Sequence, residues 1–196
     1  KEAEFFAELL RQADYNVVSP GDWANAHTIY SALFSQPHRI LHIAAHGVFE
    51  LTGRDGQPRS GVMLSDGLLL TAYEVAQLPA VPELVFLNCC RLGQTNELPA
   101  TTRRLAYSLA REFIEIGVRC VIAAGWAVDD AAADTFAREF YGEMVRDDRA
   151  FGEAVRHARQ RVWREHNHCN TWGAYQAYDD PTFRLGRTQT TSSRPG

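Results

Sequence analysis

Three short apolar runs constrain this chain more than anything else in it: "RILHIAA" at 39–45, "PELVFLNCC" at 82–90 and "VRCVIAAGW" at 118–126. Each is a nearly continuous apolar stretch rather than an alternating one. That pattern belongs to strands buried on both faces, as in a parallel sheet covered by helices. Helical patterns fill most of the chain between and after them. The alternation predicts an α/β domain around a mainly parallel sheet flanked by helices, a three-layer arrangement.

The helices read from apolar spacing. Residues 2–13 place Phe5, Phe6, Leu9 and Leu10 on one face. "YNVVS" at 15–19 reads as a further strand, and "GDWANAHTIYSALFS" as a helix with Asp22 as its N-cap. Turn formers crowd residues 48–70 around "GVML" and "GLLLT", which predicts a loop and a small hairpin. Thr71 with Glu74 three residues on forms a capping box for "AYEVAQL". A loop over 91–103 precedes a helix to about Ile116 that stops at Gly117. Helices are expected over "DAAADTFAREFYGEMVRD" and from Ala150 to about Glu165, with a short strand near "AYQAYDDP".

At 196 residues and 45% apolar content the chain suffices for one domain with a substantial core. The final stretch, 187–196, "RTQTTSSRPG" after its leading Gly186, has few apolar side chains and is expected to be flexible. A formal charge of −4 gives no global attraction to polyanions, so nucleic-acid binding is not expected. The basic run "RHARQRVWRE" reads as a solvated helix face. No apolar run nears the roughly 20 residues that span a bilayer, so no membrane segment is expected. The opening "KEAEFFAELLRQA" reads as the middle of an amphipathic helix, which suggests a longer parent protein. Cys89, Cys90, Cys120 and Cys169 show neither disulfide-framework nor zinc-site spacing, and the natural setting is a reducing cytoplasm.

In open parallel sheets, reacting groups gather outside the carboxyl ends of strands. One run here ends in "AAHG" and another in "NCCRLG", so an imidazole and a thiol leave the same sheet edge if the strands are parallel neighbours. A neighbouring imidazole stabilises a thiolate and delivers a proton to a leaving amine. The backbone N–H groups of Gly47 and Cys90 are then candidates for an oxyanion hole. His42 and His46 are four apart, but on a strand they lie about 13 Å from one another, too far to share a metal. His42 is expected in the core, and no metal site is assigned. The cluster "HNHC" at 166–169 reads as a helix end.

Together, "HIAAHG", "GVMLSDGLLLTAYEV", "ELVFLNCCRLG" and "VIAAGWAVDDAAADTFAREFY" resemble the CHAT family, a branch of the caspase-like clan CD cysteine peptidases, over residues from about Phe5 to Leu185. The resemblance implies a caspase-like domain over 1–186 acting as a cysteine endopeptidase, with His46 and Cys90 as its dyad and no cofactor. Cys90 stands three before Gly93, as in the family's Cys-x-x-Gly turn, whereas Cys89 holds a position usually given to a small residue. Asn88, Arg91 and Leu92 depart from the family pattern without removing a reacting group. Asp129, Asp130 and Trp126 follow the third strand and are candidates for a pocket taking a basic substrate side chain. Helix capping by Asp129 and core packing by Trp126 are the competing readings. The resemblance further implies a protein or peptide substrate, a regulatory or sensor module upstream or in trans, and a bacterial defence or cell-death setting. The alternative is a catalytically silent interaction module on the same fold.

Overall fold

The computed structural model describes residues 2–21, 24–45, 47–52, 56–88 and 99–186. Two sheets are present among them. The larger has four strands in the order β1 (Ile40–Ala44), β5 (Leu84–Asn88), β6 (Cys120–Ala124), β7 (Tyr175–Asp179). β1, β5 and β6 run parallel and β7 is antiparallel to β6. The smaller is an antiparallel set of β2 (Gly47–Thr52), β3 (Pro58–Met63) and β4 (Leu69–Leu70).

The side-chain period of two splits the central strands between two cores. Leu84, Phe86, Cys120 and Ile122 face one, closed by α1 (Glu2–Gln12), α5 (Asp130–Tyr141) and α6 (Phe151–Glu165). Val85, Leu87, Val121 and Ala123 face the other, closed by α4 (Pro99–Glu115) with Val62 and Leu70 of the small sheet. Phe86 is fully buried among the rings of His42, Phe136, Phe140, Tyr141 and Tyr175. The arrangement is the expected sheet of parallel strands between helical layers, made mixed by the antiparallel edge strand β7.

Several local expectations shift. "YNVVS" is not a strand: Tyr15 to Ser19 run as coil beside β1, with Val18 43% exposed. Without a ladder partner an alternating run has no reason to become a strand. β1 is therefore the sheet edge among the described residues, and only Leu41 of its five residues is buried. α2 spans Ala26–Ser35 and is capped by Asn25, whose Oδ1 accepts from the Thr28 N–H at 2.9 Å; Asp22 lies outside the described residues. The expected small hairpin is a full three-stranded sheet. α3 (Ala72–Val75) is only one turn, although Glu74 Oε2 accepts from the Thr71 N–H at 2.8 Å as the capping box requires. α4 starts at Pro99, inside the expected loop, where a missing N–H costs nothing. α5 runs on into a π-helical turn over Gly142–Arg146, and a single turn, α7 (Thr171–Ala174), precedes β7.

Candidate functional site

Parallel pairing brings the carboxyl ends of β1, β5 and β6 to one edge of the sheet. Ala44 is the register partner of Asn88, and the Ala45 N–H donates to the Asn88 carbonyl at 3.3 Å. On the other side of β5, Leu87 is partnered by Ala123. His46 follows Ala45 directly, and Cys89 and Cys90 follow Asn88 directly. All three lie outside the described residues, as does the loop through residue 98. Gly47 is described: it is buried, opens β2 and pairs with Val62.

Asn88 is held at the end of its strand on two sides. Its carbonyl takes the Ala45 N–H, and its side-chain oxygen accepts from the buried Tyr175 hydroxyl at 3.4 Å. Asn88, which departs from the family pattern, thus has a local partner in β7. Tyr175 is itself stacked on Phe136 at 4.1 Å between ring centroids. The last residue of β5 is thus tied to a rigid aromatic core.

Beyond β6 the chain turns toward α5. The Gly125 N–H donates to the Ala174 carbonyl at 2.8 Å, which ties this turn to α7. The indole of half-buried Trp126 lies against Gly173, leaving ordinary contact distance, 3.6 Å, for an added Cβ there. Its Nε1 is buried and finds no acceptor among the described residues. Asp129 is the N-cap of α5: its Oδ1 accepts from the Ala132 N–H at 2.9 Å, and its own N–H donates to Thr171 Oγ1 at 3.0 Å. Asp130 opens the first turn of the helix.

A cavity of about 1560 Å³ opens beside the strand ends. Ala44, Ala45 and Asn88 line it together with Asp130 and Asp134. Asp129 and Trp126 do not. Asp134 is the residue that sequence reasoning missed, although its place four after Asp130 puts both on one helix face. Its Oδ2 holds Arg138 Nε at 2.6 Å, and the Arg138 guanidinium sits 3.6 Å over the Phe5 ring. That pairing neutralises one of the two acids in place.

His42 is where expected. Its Nδ1 is 3.2 Å from the Tyr141 hydroxyl and its half-buried ring stacks on the core residue Phe86 at 5.0 Å, while also lining the cavity. At the far end of α6, His166 is the C-cap residue with its ring 2.9 Å from Thr135 Oγ1, and the Cys169 thiol donates to the His166 carbonyl at 3.3 Å. Cys120 is fully buried and Cys169 half-buried, and neither forms a disulfide among the described residues. Among the described residues no helix is long and apolar enough to cross a membrane.

Comparison with known proteins agrees with this architecture. The CHAT domain family model matches residues 1–180. No curated protein matches the chain. Among solved structures, the Arg-specific cysteine proteinase gingipain R superposes with a TM-score of 0.63 at 14% identity, over 95% of this chain and 42% of its own. The chain thus spans less than half of that proteinase, and identity this low speaks to the fold alone. With a family match over nearly its whole length and a mixed sheet shared with a clan CD proteinase, the chain belongs to the CHAT domain family and carries the caspase-like cysteine-peptidase fold.

Proposed function

We propose that this chain is a cysteine endopeptidase in which Cys90 is the nucleophile and His46 the general base and acid. The observation that carries the reading is the parallel register of β1 with β5. Ala44 partners Asn88, so His46 and Cys90 continue the chain two residues beyond register partners on adjacent strands. Covalent geometry allows about 3.8 Å between successive Cα atoms, which keeps both residues close to the same sheet edge.

The chemistry follows from those two groups. The Cys90 thiolate attacks the scissile carbonyl carbon, and the C–N bond breaks as His46 protonates the leaving amine. Water deprotonated by His46 then attacks the thioester, and the carboxylate product leaves with Cys90 restored. Backbone N–H groups of Gly47 and Cys90 face the oxyanion in each step. The cavity beside Ala45 and Asn88 receives the substrate. Asp130 attracts a basic side chain before the scissile bond, while Asp129 is committed to capping α5. Trp126 stands off the cavity lining with its indole against Gly173, which favours packing over a pocket wall.

The protein acts in the bacterial cytoplasm on a protein substrate, as a defence or cell-death effector that a regulatory module upstream or in trans switches on. Thiol alkylation tests the dyad. Brief iodoacetamide treatment near neutral pH, read by peptide mass spectrometry, modifies Cys90 ahead of half-buried Cys169, and His46→Ala removes that advantage. Equal labelling of Cys90 and Cys169 with and without His46 refutes the assignment.

A further inference from the structure

Between α6 and β7 lies a cleft of about 520 Å³. Its walls are Phe151, Val155, Trp163, Trp172, Ala177 and Pro181. The two tryptophans meet edge to face at 5.3 Å and stay 53% and 40% exposed, large apolar rings left in water at the mouth of an apolar cleft. Arg156, Arg159 and Gln160 supply its polar groups, and no acid lines it among the described side chains.

β7 presents main-chain groups to this cleft. The Asp180 N–H donates to Arg119 O toward β6, and the Cys120 N–H points the opposite way, to the carbonyl of Glu83 just before β5. By alternation, Tyr178 and Gln176 bond inward, while Tyr175 and Ala177 face out. The Tyr175 carbonyl faces out and is taken by Arg159 Nη2 at 2.7 Å. Exposed Ala177 has both its N–H and C=O directed away from the sheet, with no partner among the described residues. Arg159 Nε is buried without an acceptor, and burial pushes its guanidinium below the ordinary arginine range, a setting that a carboxylate relieves.

We propose that this cleft docks an extended acidic segment of a partner protein, which adds a strand at Ala177, seats an apolar side chain against Trp163 and Trp172, and sets a carboxylate against Arg156 and Arg159. Main-chain pairing supplies affinity and the alternate side-chain pocket supplies selectivity. A second copy of the chain is the poorer occupant, because two-fold pairing at Ala177 brings two arginine-lined clefts toward one axis. The site is independent of the dyad chemistry.

A displayed library of random heptapeptides, panned on the full chain, tests this. Selected peptides carry Asp or Glu with aromatic or branched apolar residues at alternate positions, and their synthetic forms bind about tenfold weaker to Ala177→Pro, which removes the outward N–H at a sheet edge that tolerates proline. Arg156→Glu turns the selected charge from acidic to basic, a readout that stands even if Ala177→Pro fails to fold by circular dichroism. No enrichment over the unselected library, a selected charge unmoved by Arg156→Glu, or a dimer in sedimentation that Ala177→Pro abolishes would overturn the proposal.

Discussion

Asp129 is the side chain for which a structural and a specificity role are easiest to separate, because its cap geometry fixes what each substitution removes. Asp129→Ala deletes the acceptor of the 2.9 Å bond from the Ala132 N–H. Loss of an N-cap acceptor costs about 1 kcal/mol, and loss of a negative charge at a helix N-terminus costs about 0.3–1 kcal/mol more. The sum, about 1–2 kcal/mol, lowers the Tm of a domain this size by about 2–8 °C. Asp129→Asn keeps an oxygen in the same place and loses only the charge, so it recovers more than half of the deficit. Asp130→Asn leaves the cap intact and costs less than about 1 kcal/mol. Urea unfolding followed by circular dichroism, with a calorimetric Tm for each variant, reads the three values. If Asp129→Asn is as unstable as Asp129→Ala, or Asp129→Ala is as stable as the wild type, the carboxylate is not serving the helix and the assignment of substrate selection to Asp130 loses its basis.

Two further outcomes follow from local geometry. A Cβ on Gly61 falls 2.5 Å from the Leu70 carbonyl oxygen across the small sheet, a backbone atom that cannot swing aside, so Gly61→Ala costs about 1–3 kcal/mol, seen as a lower urea midpoint with an unchanged slope. Burial first, and then nearby Tyr107, raise the Tyr178 pKa above its ordinary 10.0. The neutral phenol is thus favoured in the folded state: its contribution is fully present below pH 10.0 and is lost as pH climbs through the raised folded value. Unfolding free energy measured between neutral and strongly alkaline pH falls on the alkaline side, and Tyr178→Phe flattens that fall; an unchanged slope contradicts the assignment.

The central strands were legible because both of their faces are covered, so apolar content alone marks them. β6 lies inside its run and stops short of the end, where its ladder partners stop. What pattern could not show is which strand stands at an edge. "RILHIAA" looks as apolar as its neighbours, yet the coil over Tyr15 to Ser19 leaves β1 mostly half-exposed. The small sheet was underestimated because Pro58 and Arg59 begin β3 with exposed polar character, and its register comes from pairing with β2 rather than from local propensity. In the candidate site, the adjacency of the two strand ends was readable from topology, and the capping role of Asp129 from its place before a helix. The link from Asn88 to Tyr175 and the shared cavity of Asp130 and Asp134 were not, since each joins residues distant in sequence or turns on which way a helix face points.

The central claim, that the thiol of Cys90 cleaves peptide bonds with His46 as its proton carrier, is tested most directly by co-expressing the full-length protein with the proteins encoded beside it. Wild type is compared with Cys90→Ala, His46→Ala and Cys89→Ala, and new protein termini are mapped by mass spectrometry. The account predicts one or more termini following Arg or Lys that vanish with Cys90→Ala and with His46→Ala and persist with Cys89→Ala. Termini that survive Cys90→Ala, or that vanish only with Cys89→Ala, contradict it.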